Sequence, residues 1–211
     1  MMSIIDLTHP IRDGLPVYPG DEPTVLKHTQ TYHADGYSNH QLSINMHAGT
    51  HIDGPMHLLD REDRISQVPV DHFIGDGVLL DVTGKAVIDY NPLYERMIQE
   101  KSIVIIHTGQ GNKFGRPEYF SEHPVLTPAL AELLIRKKVK LVGLDFPSPD
   151  EEPFEIHKML LRSGIFIAEN LANTDQLIGI GQFEVVALPL RIDADSSVAR
   201  IIARTTMKEL E

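Results

Sequence analysis

Between residues 78 and 190 the sequence alternates short apolar runs with helix-start signals. This alternation restricts the chain to a mixed α/β architecture. Val78–Val82 (VLLDV), Ile103–His107 (IVIIH), Lys140–Phe146 (KLVGLDF), Ile165–Glu169 (IFIAE) and Phe183–Leu190 (FEVVALPL) have the length and β-branched content of strands, and Ser197–Thr205 reads as another. Asn91-Pro92 places an N-cap before Pro at N1 and predicts a helix to about Glu100; Thr127-Pro128 repeats the device. After it, Leu130, Leu133 and Leu134 form an apolar stripe, and Lys137-Lys138 suit the negative end of the helix dipole. A third helix is expected from about Pro153 to Arg162, with Gly164 as its stop. Pro and Gly are scattered, without a repeat or linker, so one domain over residues 1–211 is expected.

Upstream, Gln41–His47 (QLSINMH) alternates cleanly, which predicts a strand with Leu42, Ile44 and Met46 on a buried face. His40 continues that face as an expected core residue, and His47 ends the polar one. The next segment, HAGTHIDGPMH, carries His47, His51, Asp53 and His57 in eleven residues. An i, i+4 His pair on a helix can chelate, but Gly49, Thr50, Ile52, Gly54 and Pro55 are poor helix formers. The segment therefore reads as a strand end and tight loop. Gly49 turns the chain so that His51 returns beside His47, and in extended backbone His51 and Asp53 point the same way.

Imidazole and carboxylate together suit Zn²⁺, Mn²⁺ or Fe²⁺. The chain has no cysteine, so any metal must be held by His, Asp or Glu, and disulfides are excluded. Two histidines and one aspartate leave a site incomplete. The best distant candidates are His157, in the first turns of the third helix, and Glu169, a carboxylate at the end of an apolar strand face. The remaining histidines (9, 28, 33, 40, 72, 107 and 123) are read as solvated or hydrogen-bonded, and Gly109-x-Gly111 is a weak phosphate-loop signal with no helix directly behind it.

Nineteen basic against thirty acidic residues give a formal charge of −11, which disfavours nucleic acid as a partner. No run approaches a membrane span, and the N-terminus MMSIIDLTHP lacks the basic and long apolar regions of a signal peptide. With no cysteine, a cytoplasmic location is expected.

HAGTHIDGPMH resembles the HxGTHxDxPxH signature of the metal-dependent cyclase family, which includes bacterial kynurenine formamidases (arylformamidases) and isatin hydrolases. DLTHPIRDGLPVYPGD, HPVLTPALAELL, LVGLDFPSPD, IHKMLLRSGIFIAENLAN and VALPLRIDADSSVARIIA follow in the family's order, so the resemblance covers nearly the whole chain. It implies a compact swivelling-type α/β domain with a mixed sheet flanked by helices, assembled as a homo-oligomer (dimer or tetramer). It implies two divalent ions, expected to be Zn²⁺ with Mn²⁺ as the alternative identity for both. His47, His51 and Asp53 would hold the first; Asp53, shared, with His157 and Glu169 would hold the second. Glu169 resembles a second bridging carboxylate, His57 the catalytic acid/base, and Tyr18 a substrate-contacting aromatic. The implied reaction is hydrolysis of an amide C–N bond by metal-activated water, on a small molecule such as N-formylkynurenine in tryptophan catabolism. Tyr18 stands where relatives carry Trp, Leu58 where many have Phe, and Gln110 where many have Trp; these positions are expected to shape the pocket.

Three rival readings remain. A cyclic-amide hydrolase of the isatin type fits the same residues. A non-haem iron oxygenase using His51, Asp53 and His157 leaves His47, His57 and Glu169 without a role. A structural metal site would be closed and cysteine-rich, unlike this one.

Overall fold

The computed structural model of the chain describes residues 2–206. Twelve strands appear in chain order: β1 (Met2–Asp6), β2 (Val25–Gln30), β3 (Asn39–Ser43), β4 (His51–Asp53), β5 (Ile74–Asp81), β6 (Val87–Ile88), β7 (Ile103–His107), β8 (Val125–Leu126), β9 (Leu141–Leu144), β10 (Phe166–Glu169), β11 (Phe183–Pro189) and β12 (Ser196–Thr206). The α-helices are α1 (Tyr32–Asp35), α2 (Pro92–Met97), α3 (Glu118–Ser121), α4 (Pro128–Arg136) and α5 (Glu155–Arg162). Both expected caps form: Asn91 accepts from the Leu93 N–H at 2.9 Å, and Thr127 from that of Leu130 at 3.3 Å. Among the described residues no helix is long and apolar enough to cross a membrane.

The main sheet is mixed. β5, β7, β9 and β10 run parallel side by side; β11 flanks β5 and β4 flanks β10, both antiparallel, and β12 pairs antiparallel with β11 and β4. β12 pairs with β11 along one side and with β4 along the other, so seven strands close into a barrel-like ring, with β1 added on β12. Strand alternation then divides the core. Ile103 and Ile105 of β7, with Phe166 and Ala168 of β10, join the cluster built with β11 and β12. Val104, Ile106 and Ile167 point the other way, against Leu130, Leu133 and Leu134 of α4 and Leu160 and Leu161 of α5. Glu169 belongs by parity to the face of Ile167, the side that α5 covers.

The N-terminal expectation needs correction. The strand stops at Ser43, and His47 lies in a turn. β3 pairs only with β2, as a two-stranded ribbon standing off the barrel. Leu42 is 44% exposed, and the exposed His40 ring stacks on that of His28, with centroids 4.3 Å apart. β3 is exposed at every residue, and Ile44 and Met46 lie beyond its end, half-buried, so the alternation does not mark a buried strand face here. α2 also stops at Met97, short of the expected Glu100.

Candidate metal centre

The site begins with strand register. In the antiparallel β10–β4 pair, His51 lies opposite Glu169 and Asp53 opposite Ile167; on the other flank, Asp53 lies opposite Ser196 of β12. His51 and Asp53 share a face, with Ile52 between them turned into the apolar core. Gly49, at φ +63°, makes the turn that sets the His47 and His51 rings 5.1 Å apart. Its hydrogen fits where a Cβ would meet Leu15 Cδ2 at 2.8 Å. Gly54 leaves β4 past the Asp195 carbonyl, which a Cβ would approach to 2.6 Å. His157, the third residue of α5, comes down on the same face because Leu160 and Leu161 anchor that side of the helix.

The donor atoms converge. Asp53 Oδ1 lies 2.9 Å from His47 Nδ1 and 3.4 Å from His51 Nε2, and Asp53 Oδ2 lies 3.7 Å from His157 Nε2. Glu169 places Oε2 3.5 Å from His51 Nε2 and Oε1 3.1 Å from His157 Nε2. His51 Nε2 and Asp53 Oδ2 are fully buried without a hydrogen-bond partner, an arrangement that is costly unless something else binds them. Ligands roughly 2.0–2.2 Å from one tetrahedral ion lie about 3.3–3.6 Å from each other; the two His51 Nε2 separations fall in that range, and the donor set suits divalent ions. His47, His51, Asp53, His157 and Glu169 could hold them. Asp53 is common to both compact groupings of donors: His47 and His57 complete one, His51 and Glu169 the other.

Each of the three histidines has an acceptor at its other ring nitrogen. His51 Nδ1 lies 2.8 Å from the Gly49 carbonyl, His157 Nδ1 2.7 Å from Asp150 Oδ1, and His47 Nε2 2.8 Å from Asp195 Oδ2. Such partners fix ring orientation and raise ligand basicity. The sequence reading missed Asp150 and Asp195. Each is one carboxylate in an acidic stretch (PSPDEEP, RIDADSS), and only the fold shows which one turns inward. Replacing Asp195 with alanine is expected to weaken Zn²⁺ binding roughly 10–100-fold. Competition with a chromophoric chelator measures this, and unchanged affinity would remove Asp195 from the support of His47.

Charge in the site is tightly coupled. Burial alone would depress His51, but the charge and hydrogen bond of Asp53, then Glu169, push it up to about 10. Burial likewise opposes His47, which Asp195 and Asp53 raise to about 9; Asp150, Asp53 and Glu169 raise His157 well above its ordinary value. Against its own burial, Asp53 is held well below the usual range by the His51 charge and by hydrogen bonds from His157 and His47. Hydrogen bonds from His47 and His57 hold Asp195 low. Metal must therefore displace protons. Zn²⁺ uptake near pH 7 is expected to release protons, and affinity should climb as pH rises toward about 9 to 10. Because these histidine values lie above those of an unfolded chain, their stabilisation of chelator-treated protein is complete below about pH 6.5. It is lost as pH rises through about 9 to 10, so Tm should fall across that window. Calorimetry in two buffers of different ionisation enthalpy counts the protons; zero release would refute the ion-cluster description.

A cavity of about 210 Å³ opens onto these donors. His57 reaches it from the 3-10 turn Pro55–His57, with its ring 4.1 Å from that of His47 and Nδ1 3.6 Å from Asp195 Oδ2. Tyr18, Leu58, Phe120, Pro147 and Phe154 form the apolar wall, and among the described residues no Lys or Arg lines it. Tyr18 is 43% exposed and meets Phe120 edge-on, centroids 5.8 Å apart. Gln110 does not reach this cavity, correcting the expectation that it shapes the pocket directly. It is buried behind the wall, donating to the carbonyls of Tyr119 at 3.2 Å and Glu122 at 2.9 Å, and so holds α3 in place.

The chain is similar to a kynurenine formamidase of Bacillus cereus, 29% identical over 206 residues that cover 95% of this chain and 96% of that protein. Among solved structures, a potential metal-dependent hydrolase with cyclase activity superposes with a TM-score of 0.82 at 25% identity, covering 99% of this chain and 100% of that one. An isatin hydrolase A from Labrenzia aggregata shares the fold, with a TM-score of 0.84 at 23% identity over 98% of this chain and 94% of that one. Residues 5–151, which include the whole His47–His57 segment, match the sequence profile described as putative cyclase, and the chain belongs to that family.

Proposed function

We propose that this protein is a metal-dependent amidohydrolase that cleaves N-formyl aryl amines of the N-formylkynurenine type. One observation carries the reading: His57 stands beside a buried His/Asp/Glu cluster on the floor of an aromatic-walled cavity. The similarity to a kynurenine formamidase supports it. Bound divalent ions would supply acidified water and a polarised carbonyl. Asp53 and Glu169, with His47, His51 and His157, would hold the ions. The Asp195 carboxylate faces His57 Nδ1, leaving Nε2 as the atom that takes a proton from the attacking water. The same atom returns it to the leaving nitrogen as the C–N bond breaks. Formate and the free aryl amine result. Tyr18, Phe120 and Phe154 pack the aryl ring and exclude water from the bond being cut.

The test is metal analysis of protein purified without added metal, joined to parallel assays with formanilide, N-formylkynurenine and isatin. Two ions per chain and faster turnover of the formamides are expected. Metal-loaded protein inert toward all three substrates would overturn the reading; preference for isatin would replace the linear amide with a cyclic one.

A further inference from the structure

Asn170, directly after Glu169, is buried and stands in the left-handed region at φ +56°. That conformation breaks strand alternation, so the side chain returns to the metal side rather than to the opposite face. There its Nδ2 donates to the Gly49 carbonyl at 2.9 Å. The same carbonyl accepts the Nδ1–H of His51 at 2.8 Å. A carbonyl oxygen only accepts, so this contact leaves Nε2 as the nitrogen aimed at Asp53 and Glu169. The Asn170 amide is itself held the right way round, because Tyr119, fully buried in α3, donates its hydroxyl to Oδ1 at 2.7 Å. The backbone joins in: Thr50 Oγ1 donates to the Asn170 carbonyl at 2.7 Å. The residue thus couples β10, the ligand loop and the helix that carries Phe120.

We propose that Asn170 is the positioning residue of the metal centre: its carboxamide fixes the Gly49 carbonyl and, through it, the orientation of the His51 ring. The position demands left-handed backbone, one donor and one acceptor together. Glycine satisfies the first alone. Aspartate tolerates the backbone but sets an acceptor against the Gly49 carbonyl. The assignment rests on the reading that this cluster holds metal, but not on the substrate.

Asn170→Asp and Tyr119→Phe are compared with wild type, using Zn²⁺ and Co²⁺ alone as probes. Zn²⁺ affinity, by chelator competition, should fall roughly 10–100-fold in Asn170→Asp and about 3–10-fold in Tyr119→Phe, which frees the amide without reversing it. In Co²⁺-loaded protein the exchangeable, paramagnetically shifted Nδ1–H resonance of His51 should be sharp in wild type, broadened in Tyr119→Phe and displaced or lost in Asn170→Asp. A purely structural residue would lower Tm and leave both readouts unmoved. Folded Asn170→Asp with affinity within about two-fold and an unaltered resonance overturns the proposal; should that variant not fold, the same result in Tyr119→Phe does so. Because no amide is turned over in either measurement, these outcomes are independent of whether the chain is a formamidase.

Discussion

Replacing His57 with alanine is expected to lower kcat roughly 10²–10⁴-fold while the protein keeps its metal. The separation is informative because His57 stands so near the donors. Its ring lies 4.1 Å from that of His47, and it can be grouped with His47 and Asp53 as a third donor. Unlike His51 and His157 it is only half-buried, on a short 3-10 turn, and it faces the cavity. His47 is open to a similar degree, 21% of its side chain against 28%, so exposure alone does not separate the two, and metal content of the variant does. The measurements are kcat on a formamide and metal per chain by elemental analysis. Loss of metal in parallel with loss of rate would make His57 a ligand and leave proton transfer to another group.

Asp53→Asn is expected to have the larger effect, with metal content and turnover both falling to background. Asp53 is 1% exposed, and its two oxygens face three imidazoles at 2.9, 3.4 and 3.7 Å. The change removes a shared donor and leaves buried imidazolium groups without their counter-charge, a loss of the kind that costs about 3–5 kcal/mol. The metal-free variant should therefore melt well below metal-free wild type at pH 7. The gap should narrow as pH rises through about 9 to 10, where His47 and His51 shed their protons. Elemental analysis and Tm against pH report both parts, and a variant that retained its ions and activity would refute the central place given to Asp53.

Where local chemistry decides, the sequence was readable. β7 coincides with the expected Ile103–His107 because an uninterrupted β-branched run suits a strand buried on both faces. Asn91 and Thr127 start their helices because the side-chain acceptor and the following proline act within one turn. His51 and Asp53 share a face because they are two residues apart in a strand. His157 and Glu169 could be proposed on chemical grounds, but their meeting with His51 depends on β10 pairing antiparallel with β4, and alternation reveals faces, not partners. The same limit explains Leu42, which stays 44% exposed, and Gln110, which acts one layer behind the cavity. Asp150 and Asp195 were beyond reach because a second-layer carboxylate has no spacing of its own.

β4 holds three residues paired on both flanks, the outer two turned toward the metal side and Ile52 toward the apolar interior. Strand side chains repeat every two residues, so adding or deleting a single residue ahead of His51 would invert all three at once. Two donors would enter the hydrophobic interior and an isoleucine would face the remaining donor side chains. The segment is therefore intolerant of length change in a way that no single substitution reveals. Drift in substrate preference has to come from the loops and helix ends that build the cavity wall.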